Sequence, residues 1–137
     1  MTFSTRISVA FGDTDPTGLV YYPNLLHYCH IAMERFFAAR CDVPYSDLIA
    51  KDRIGFPTVK IEAEFLTPLI YGDEAEIAVE VAEVGNSSLK LVYTIRRVRD
   101  EVVCARVEQI HVAISLDTKK SQSIPSYLRE NLITTTL

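Results

Sequence analysis

Residues 23–40 constrain the fold of this 137-residue chain more than any other segment. They begin at Pro23, which suits the first turn of a helix because the N–H that proline lacks would be unpaired there. Apolar side chains cover most of the circumference of the predicted helix, and a helix that is apolar nearly all round is buried. In a chain of this size, either a sheet wraps the helix or a partner subunit covers it.

The rest of the chain can supply such a sheet. Alternation of apolar and polar residues predicts a half-buried strand. It occurs in the segments 3–11, 58–66, 74–84, 88–98 and 102–116. In the first segment the predicted buried face ends at Phe11. In the last segment the apolar phase shifts near residues 108–110, which indicates a bulge or a strong twist.

Two short helices complete the predicted elements. One covers residues 43–51, with Ser46 or Asp47 as its N-cap, and the other covers residues 125–132. The order of elements predicts a single α+β domain over residues 1–137. Its antiparallel sheet needs an apolar partner, and the long helix is the only element large enough to provide one.

Composition excludes several classes of protein. The net charge of −4 argues against a general nucleic-acid binder, which would carry a basic face. No apolar run approaches the roughly 20 residues that span a bilayer, so a cytoplasmic location without a membrane partner is the expectation. The cysteines at 29, 41 and 104 match no zinc or redox spacing, which predicts reduced thiols.

Residues 11–24 read Phe-Gly-Asp-Thr-Asp-Pro-Thr-Gly-Leu-Val-Tyr-Tyr-Pro-Asn and stand directly in front of the long helix. Asp15 precedes Pro16, which pushes the backbone of Asp15 to the extended region, and Gly18 permits a tight turn. The pattern predicts a carboxylate on a rigid turn near free N–H groups that suit an oxyanion. Such a pair can perform acyl transfer, although a well-capped loop is the simpler interpretation of these residues alone.

This stretch resembles the signature of the 4-hydroxybenzoyl-CoA thioesterase family of hotdog-fold enzymes, and so do the helix after it and the segment 65–73. The resemblance implies a five-stranded antiparallel sheet wrapped around one long central helix. It also implies a homodimer in which two sheets become continuous, with the sites at the interface, and further assembly to a homotetramer. The family needs no metal, and we expect no cofactor.

The resemblance also implies roles for individual residues. Asp15 resembles the catalytic carboxylate, as nucleophile or as general base on water. The backbone N–H of Tyr22 matches the donor that polarises the thioester carbonyl, Gly18 matches the glycine of the catalytic turn, and Asp13 is interpreted as turn-forming. The predicted substrate-binding residues are Pro16, Tyr21 and His30. At the position of His30, relatives specific for 4-hydroxybenzoyl-CoA carry an acidic residue near the acyl ring.

The resulting hypothesis is an acyl-CoA thioesterase for an aromatic (benzoyl-type) or short-chain acyl group, with CoA or an acyl carrier protein as the thiol. Two alternatives are a non-catalytic acyl-binding hotdog module and a hotdog enoyl-CoA hydratase or dehydratase. The latter sites pair an acid with a helix histidine, for which His27 or His30 is available. Both histidines and Glu34 lie on one side of the helix, where they could bind a metal, face the dimer seam or solvent, or line the acyl pocket.

Basic residues cluster in the third and fourth strands of the predicted meander and in the late loop. They are Arg96, Arg97, Arg99, Arg106, Lys119 and Lys120. Two interpretations remain open for this cluster. It is a solubilising surface, or it is a rim that binds the phosphates of coenzyme A through charge-assisted contacts.

Overall fold

The predicted sheet and central helix are both present in the computed structural model, which describes residues 2–136. The elements are β1 (Phe3–Ser8), α1 (Tyr22–Arg40), α2 (Tyr45–Ala50), β2 (Ile54–Gly55), β3 (Thr58–Phe65), β4 (Glu74–Val84), β5 (Ser88–Arg97), β6 (Val102–Val112), β7 (Ile114–Ser115) and α3 (Ser126–Thr134). Met1 and Leu137, the ends of the predicted domain, lie outside the described residues. Among the described residues, no helix has the length and apolar character needed to cross a bilayer.

The main sheet has five antiparallel strands in the order β1-β4-β5-β6-β3. β5 lies at its centre, between β4 and β6, and the inward side chains of β5 are fully buried. α1 lies against the inner face and contacts β1, β4 and β6. The predicted architecture of a five-stranded sheet around one long helix is therefore confirmed.

α1 is buried on one side only. Its buried residues are Leu25, Tyr28, Cys29, Ala32, Met33, Phe36 and Phe37. Burial of each large side chain stabilises the fold by roughly 1.5–3 kcal/mol. On the opposite flank His27, His30 and Glu34 are exposed. The sheet thus covers one side of the helix and leaves a polar flank uncovered.

The cysteines among the described residues are unpaired and buried, as their number and spacing predicted. Burial raises the pKa of the Cys29 and Cys41 thiols to about 12 each. These thiols are therefore protonated at neutral pH and pack as small apolar groups.

The ends of several elements differ from the sequence prediction. β1 ends at Ser8 because the chain turns at Ala10, whose N–H donates to the Asp13 carboxylate (3.1 Å). Phe11, predicted to be buried, begins a turn of 3-10 helix and is 75% exposed. α2 starts after Pro44 without a side-chain cap, so the predicted Ser46 or Asp47 cap is wrong.

The predicted last strand divides at Ala113, and its second part, β7, pairs with β2 in a small separate ribbon. The register of β6 against β5 shifts at Cys104 rather than at residues 108–110. A second register shift lies beside the predicted position, but it is in the neighbouring strand, at Val59 of β3. The alternation of the sequence indicated an irregularity but could not assign it to one strand of the pair.

β3 is the largest departure from the predicted burial. All eight of its residues are exposed, although alternation predicted a half-buried strand. β3 lies at the edge of the sheet beside β6, whereas α1 packs mainly on β1, β4 and β6. The other edge strand, β1, is half-buried because α1 packs against it. Val59, Ile61 and Phe65 are 61%, 43% and 47% exposed, respectively.

Candidate active site

A hairpin over residues 14–20 presents the side chain of Asp15. The Asp15 N–H donates to the Leu19 carbonyl (3.0 Å), and the Gly18 N–H donates to the Asp15 carbonyl (2.9 Å). Pro16 occupies the second position of this turn, where its fixed φ is favoured. Gly18 has a φ of +84°, a backbone conformation that residues other than glycine rarely adopt. The predicted rigid turn is therefore present.

The Asp15 carboxylate is held through one of its two oxygens. Its Oδ1 accepts the Thr17 N–H (2.8 Å) and also the Thr17 hydroxyl. Among the described residues, Oδ2 has no hydrogen-bond partner. Asp15 is half-buried. The side chain is thus restrained while one oxygen stays free to meet a ligand.

Asp13 fastens the hairpin to α1. Its carbonyl accepts the Tyr21 N–H (2.9 Å) and the Asn24 side-chain amide (2.9 Å). Its Oδ2 accepts the Ala10 N–H (3.1 Å) and the Tyr28 hydroxyl (2.6 Å). Burial and the adjacent Asp13 carboxylate raise the pKa of Tyr28. Asp13 forms the turn, as predicted, but the sequence analysis missed Asn24 and Tyr28, whose i, i+4 spacing places both on one side of the helix.

α1 begins with a free hydrogen-bond donor. No described residue accepts the Tyr22 N–H, and no side chain caps the helix. Pro23 contributes no N–H. The first N–H groups of a helix carry partial positive charge. The Tyr22 N–H is therefore available to an oxyanion.

An apolar pocket of about 260 Å³ opens beside the start of α1. Its lining comes from the end of the hairpin, the first turn of α1 and the chain at the end of β3: Leu19, Val20, Tyr22, Leu25, Phe65, Leu66, Thr67, Pro68 and Leu69. The Val20 N–H donates to the Leu69 carbonyl (2.9 Å), which joins two of these walls. Leu19 is also the hydrogen-bond partner of Asp15 across the hairpin, so the turn and the pocket wall are continuous.

The predicted substrate-binding residues lie outside the lining of this pocket. Pro16 and Tyr21 are exposed, and the Tyr21 ring packs edge-on against Tyr22, which does line the pocket (centroids 5.4 Å apart). His30 Nε2 lies 3.0 Å from Glu34 Oε2 on the exposed flank of α1. Asp15, Gly18 and Tyr22 therefore lie together at the hairpin and the start of α1, apart from His30, and the roles of all six predicted site residues stay predictions.

No acid–histidine pair forms between the hairpin and α1 within the described residues. His27 and His30 are exposed, and neither has a hydrogen bond to Asp15 there. Within residues 2–136, no three His, Cys, Asp or Glu side chains come together as metal ligands. Neither the hydratase alternative nor the metal alternative gains support from this arrangement.

Two arginines that form ion pairs also hold the segment 66–73, which includes part of the pocket lining. Arg97 binds Asp100 (2.6 Å) and donates to a carbonyl of that segment (3.0 Å). Arg99 Nε lies 2.7 Å from the buried carboxylate of Asp73. Burial alone would raise the pKa of Asp73, but Arg99 and a backbone N–H hold it below its usual value. Two arginines of the predicted phosphate rim are therefore engaged in structural contacts.

This fold and this turn define a hotdog-fold thioesterase. The chain belongs to the thioesterase-like superfamily, whose family model matches residues 9–132. That match includes the hairpin, α1 and the four long strands that follow them. The narrower 4-hydroxybenzoyl-CoA thioesterase family stays a prediction.

Proteins of known activity resemble the chain over nearly its full length. The 1,4-dihydroxy-2-naphthoyl-CoA hydrolase of Nostoc punctiforme is 30% identical over 91% of this chain and 82% of its own. The structure of a gentisyl-coenzyme A thioesterase has 29% identity and a TM-score of 0.84, covering 96% of this chain and 99% of its own. A 1,4-dihydroxy-2-naphthoyl-CoA thioesterase from Synechocystis shares the fold, with a TM-score of 0.88, 23% identity and coverage of 97% and 96%. The predicted enzyme class, an acyl-CoA thioesterase, is thereby confirmed.

Proposed function

We propose that this chain hydrolyses an aromatic acyl-CoA thioester to the free acid and coenzyme A. The observation that carries the proposal is the Asp15 carboxylate, which keeps one oxygen free on a turn fastened in front of α1. The carboxylate, or a water that it activates, attacks the carbonyl carbon of the thioester, while the Tyr22 N–H stabilises the developing oxyanion. The apolar pocket beside that donor suits an acyl group.

Asp15 serves this reaction by one of two routes. As a nucleophile, its Oδ2 bonds to the carbonyl carbon, the C–S bond breaks, the thiolate leaves and takes a proton from solvent, and water then hydrolyses the anhydride. As a general base, Oδ2 takes a proton from the attacking water and passes it to the leaving thiolate. Mass spectrometry of enzyme quenched during turnover separates the routes. Only the nucleophilic route adds the acyl mass to the peptide that contains Asp15.

We favour an aromatic acyl group over a short-chain one. Two of the relatives described above are named for naphthoyl-type and gentisyl thioesters. The pocket lining includes the rings of Tyr22 and Phe65, which suit a flat ring. His30 lies outside this pocket, with its Nε2 beside Glu34 on the exposed flank of α1, so its contact with the acyl group stays a prediction from the resemblance.

Replacement of Asp15 tests the proposal. Asp15→Asn and Asp15→Ala are expected to lower kcat by about 10²- to 10⁴-fold and to leave the unfolding temperature close to that of the wild type. Thiol release from benzoyl-, gentisyl-, 1,4-dihydroxy-2-naphthoyl-, acetyl- and hexanoyl-CoA measures the effect and the acyl preference. Asp47→Asn, which changes a carboxylate on α2 that pairs with Lys51 (3.5 Å), is the matched control and should retain wild-type turnover. Wild-type turnover of the best substrate by Asp15→Ala would contradict the proposed mechanism.

The same assay tests the other functions and thiols raised by the sequence. Enoyl-CoA absorbance, followed beside thiol release, reports a hydratase or dehydratase. No turnover of any thioester in the panel would favour a binding module. Parallel assays with acyl-CoA and acyl carrier protein thioesters identify the thiol partner.

The functional unit of this proposal is a homodimer formed through β3. The exposed edge strand with apolar side chains supports it, since such an edge is a template for pairing with a second chain. Pairing of two β3 strands would make the two sheets continuous, as the resemblance implies. Assembly to a homotetramer and a cytoplasmic location stay predictions.

A further inference from the structure

Thr17 directs both of its hydrogen-bond donors at the carboxylate proposed to react. Its N–H lies 2.8 Å from Asp15 Oδ1, and its hydroxyl donates to the same oxygen. Thr17 is exposed, and within the described part of the chain it makes no other hydrogen bond. We propose that Thr17 is a positioning residue for thioester hydrolysis, whose hydroxyl fixes Asp15 so that only Oδ2 meets the substrate.

The physical basis is the freedom of an aspartate side chain. The terminal torsion of a carboxylate is broad, so an unrestrained Asp15 would also adopt orientations in which neither oxygen points at the substrate. Two donors from one residue on one oxygen narrow that range and fix the direction of the other oxygen. The donors are themselves fixed, because Pro16 and Gly18 hold the turn on either side of Thr17. A reacting oxygen that is held in place needs no further ordering when the substrate binds.

A second threonine in the same loop supplies the control. The Thr14 hydroxyl donates to the Phe11 carbonyl (2.7 Å). Within the described residues it makes no hydrogen bond to the Asp15 carboxylate. Loss of the Thr14 hydroxyl therefore removes a hydrogen bond from the loop without releasing Oδ1. Comparison of the two positions separates positioning of the carboxylate from general stiffness of the loop.

The experiment measures thiol release and thermal unfolding for four variants. Thr17→Ala and Thr17→Val lose the hydroxyl and keep the N–H, so we expect kcat to fall about 5- to 20-fold at unchanged KM and unfolding temperature. Thr17→Ser keeps both donors and should restore kcat to within about twofold of wild type. Thr14→Ala should also keep kcat within about twofold.

The inference rests on the proposed role of Asp15, and the outcomes keep the two apart. Wild-type kcat in Thr17→Ala, together with an inactive Asp15→Ala, overturns the positioning role and leaves the proposed function intact. Equal losses in Thr17→Ala, Thr17→Ser and Thr14→Ala also overturn it, because they indicate a loosened loop. Full turnover by Asp15→Ala overturns the proposed function itself.

Discussion

Two aspartates that stand two residues apart have different surroundings at the residue scale. Asp13 Oδ2 is occupied by the Ala10 N–H and the Tyr28 hydroxyl, whereas Asp15 Oδ2 is free among the described residues. Tyr28 belongs to the buried face of α1 and is 2% exposed. The packing of α1 therefore brings a buried hydroxyl to Asp13, and this leaves Asp15 as the carboxylate available for chemistry.

Removal of the Tyr28 hydroxyl tests this attachment. Tyr28→Phe keeps the buried ring but takes a donor from the Asp13 carboxylate, so the free energy of unfolding should fall by about 1–2 kcal/mol. kcat should fall as well, because the hairpin is less firmly fastened to α1. Urea unfolding and thiol release measure the two effects. Tyr127→Phe is the control, since it removes an exposed hydroxyl that donates to Asp52 and should cost no more than about 0.5 kcal/mol. Equal losses in the free energy of unfolding for the two variants would contradict a larger contribution from the buried hydrogen bond.

At the scale of elements, His111 links β6 to the chain that enters β3. Its Nδ1 donates to the Phe56 carbonyl (3.0 Å) and lies 3.3 Å from the Thr58 hydroxyl. Its Nε2 is buried and has no hydrogen-bond partner within the described residues. Burial, together with the nearby His30, lowers the pKa of His111. The ring is therefore held neutral, with its proton on Nδ1.

This burial predicts a stability that falls in mild acid. As the pH drops below about 6.5, His111 in the unfolded chain gains a proton that the folded chain does not accept until lower pH. The free energy of unfolding should therefore decrease, with a contribution of up to about 1.4 kcal/mol per pH unit, until the folded-state pKa is reached. Urea unfolding between about pH 7.5 and 5 measures the slope. His111→Gln should flatten it and His27→Gln, at an exposed position, should not. An unchanged slope in His111→Gln would refute the neutral buried ring.

The sequence predicts elements well where the signal is local. β4 was predicted at its observed bounds because its alternation is regular, and α1 differs by a single residue at its start. The end of β1 and the exposure of β3 depend on a loop hydrogen bond and on position in the sheet, which no local pattern encodes. The same limit applies to the site. The motif predicts Asp15 as the reacting carboxylate, but the proposed role of Thr17 and the contact of Tyr28 with Asp13 follow from hydrogen bonds that only the folded chain forms.

At the scale of the whole molecule, β3 forms an edge of the sheet, and all eight of its residues are exposed. In a two-fold dimer built by strand pairing, two copies of β3 run antiparallel, so the start of one strand lies beside the end of the other. The end of β3 is Phe65, which lines the apolar pocket. A dimer of this kind therefore brings a second chain to the mouth of the pocket and would enclose a site that is open in one chain.

A charge on the edge strand tests this assembly. Lysine on an exposed strand edge opposes pairing with another strand, so Ile61→Lys should weaken the dimer by at least about 100-fold in dissociation constant. Hydrolysis should fall at concentrations where this variant is monomeric, because the second chain then no longer encloses the mouth of the pocket. Sedimentation and thiol release measure the two effects, and the same sedimentation run reports a tetramer. Ile133→Lys is the matched control, since this isoleucine of α3 is 53% exposed, compared with 43% for Ile61. A monomeric wild-type chain, or a monomeric Ile61→Lys variant with wild-type hydrolysis, would contradict an active site completed by pairing of the two β3 strands.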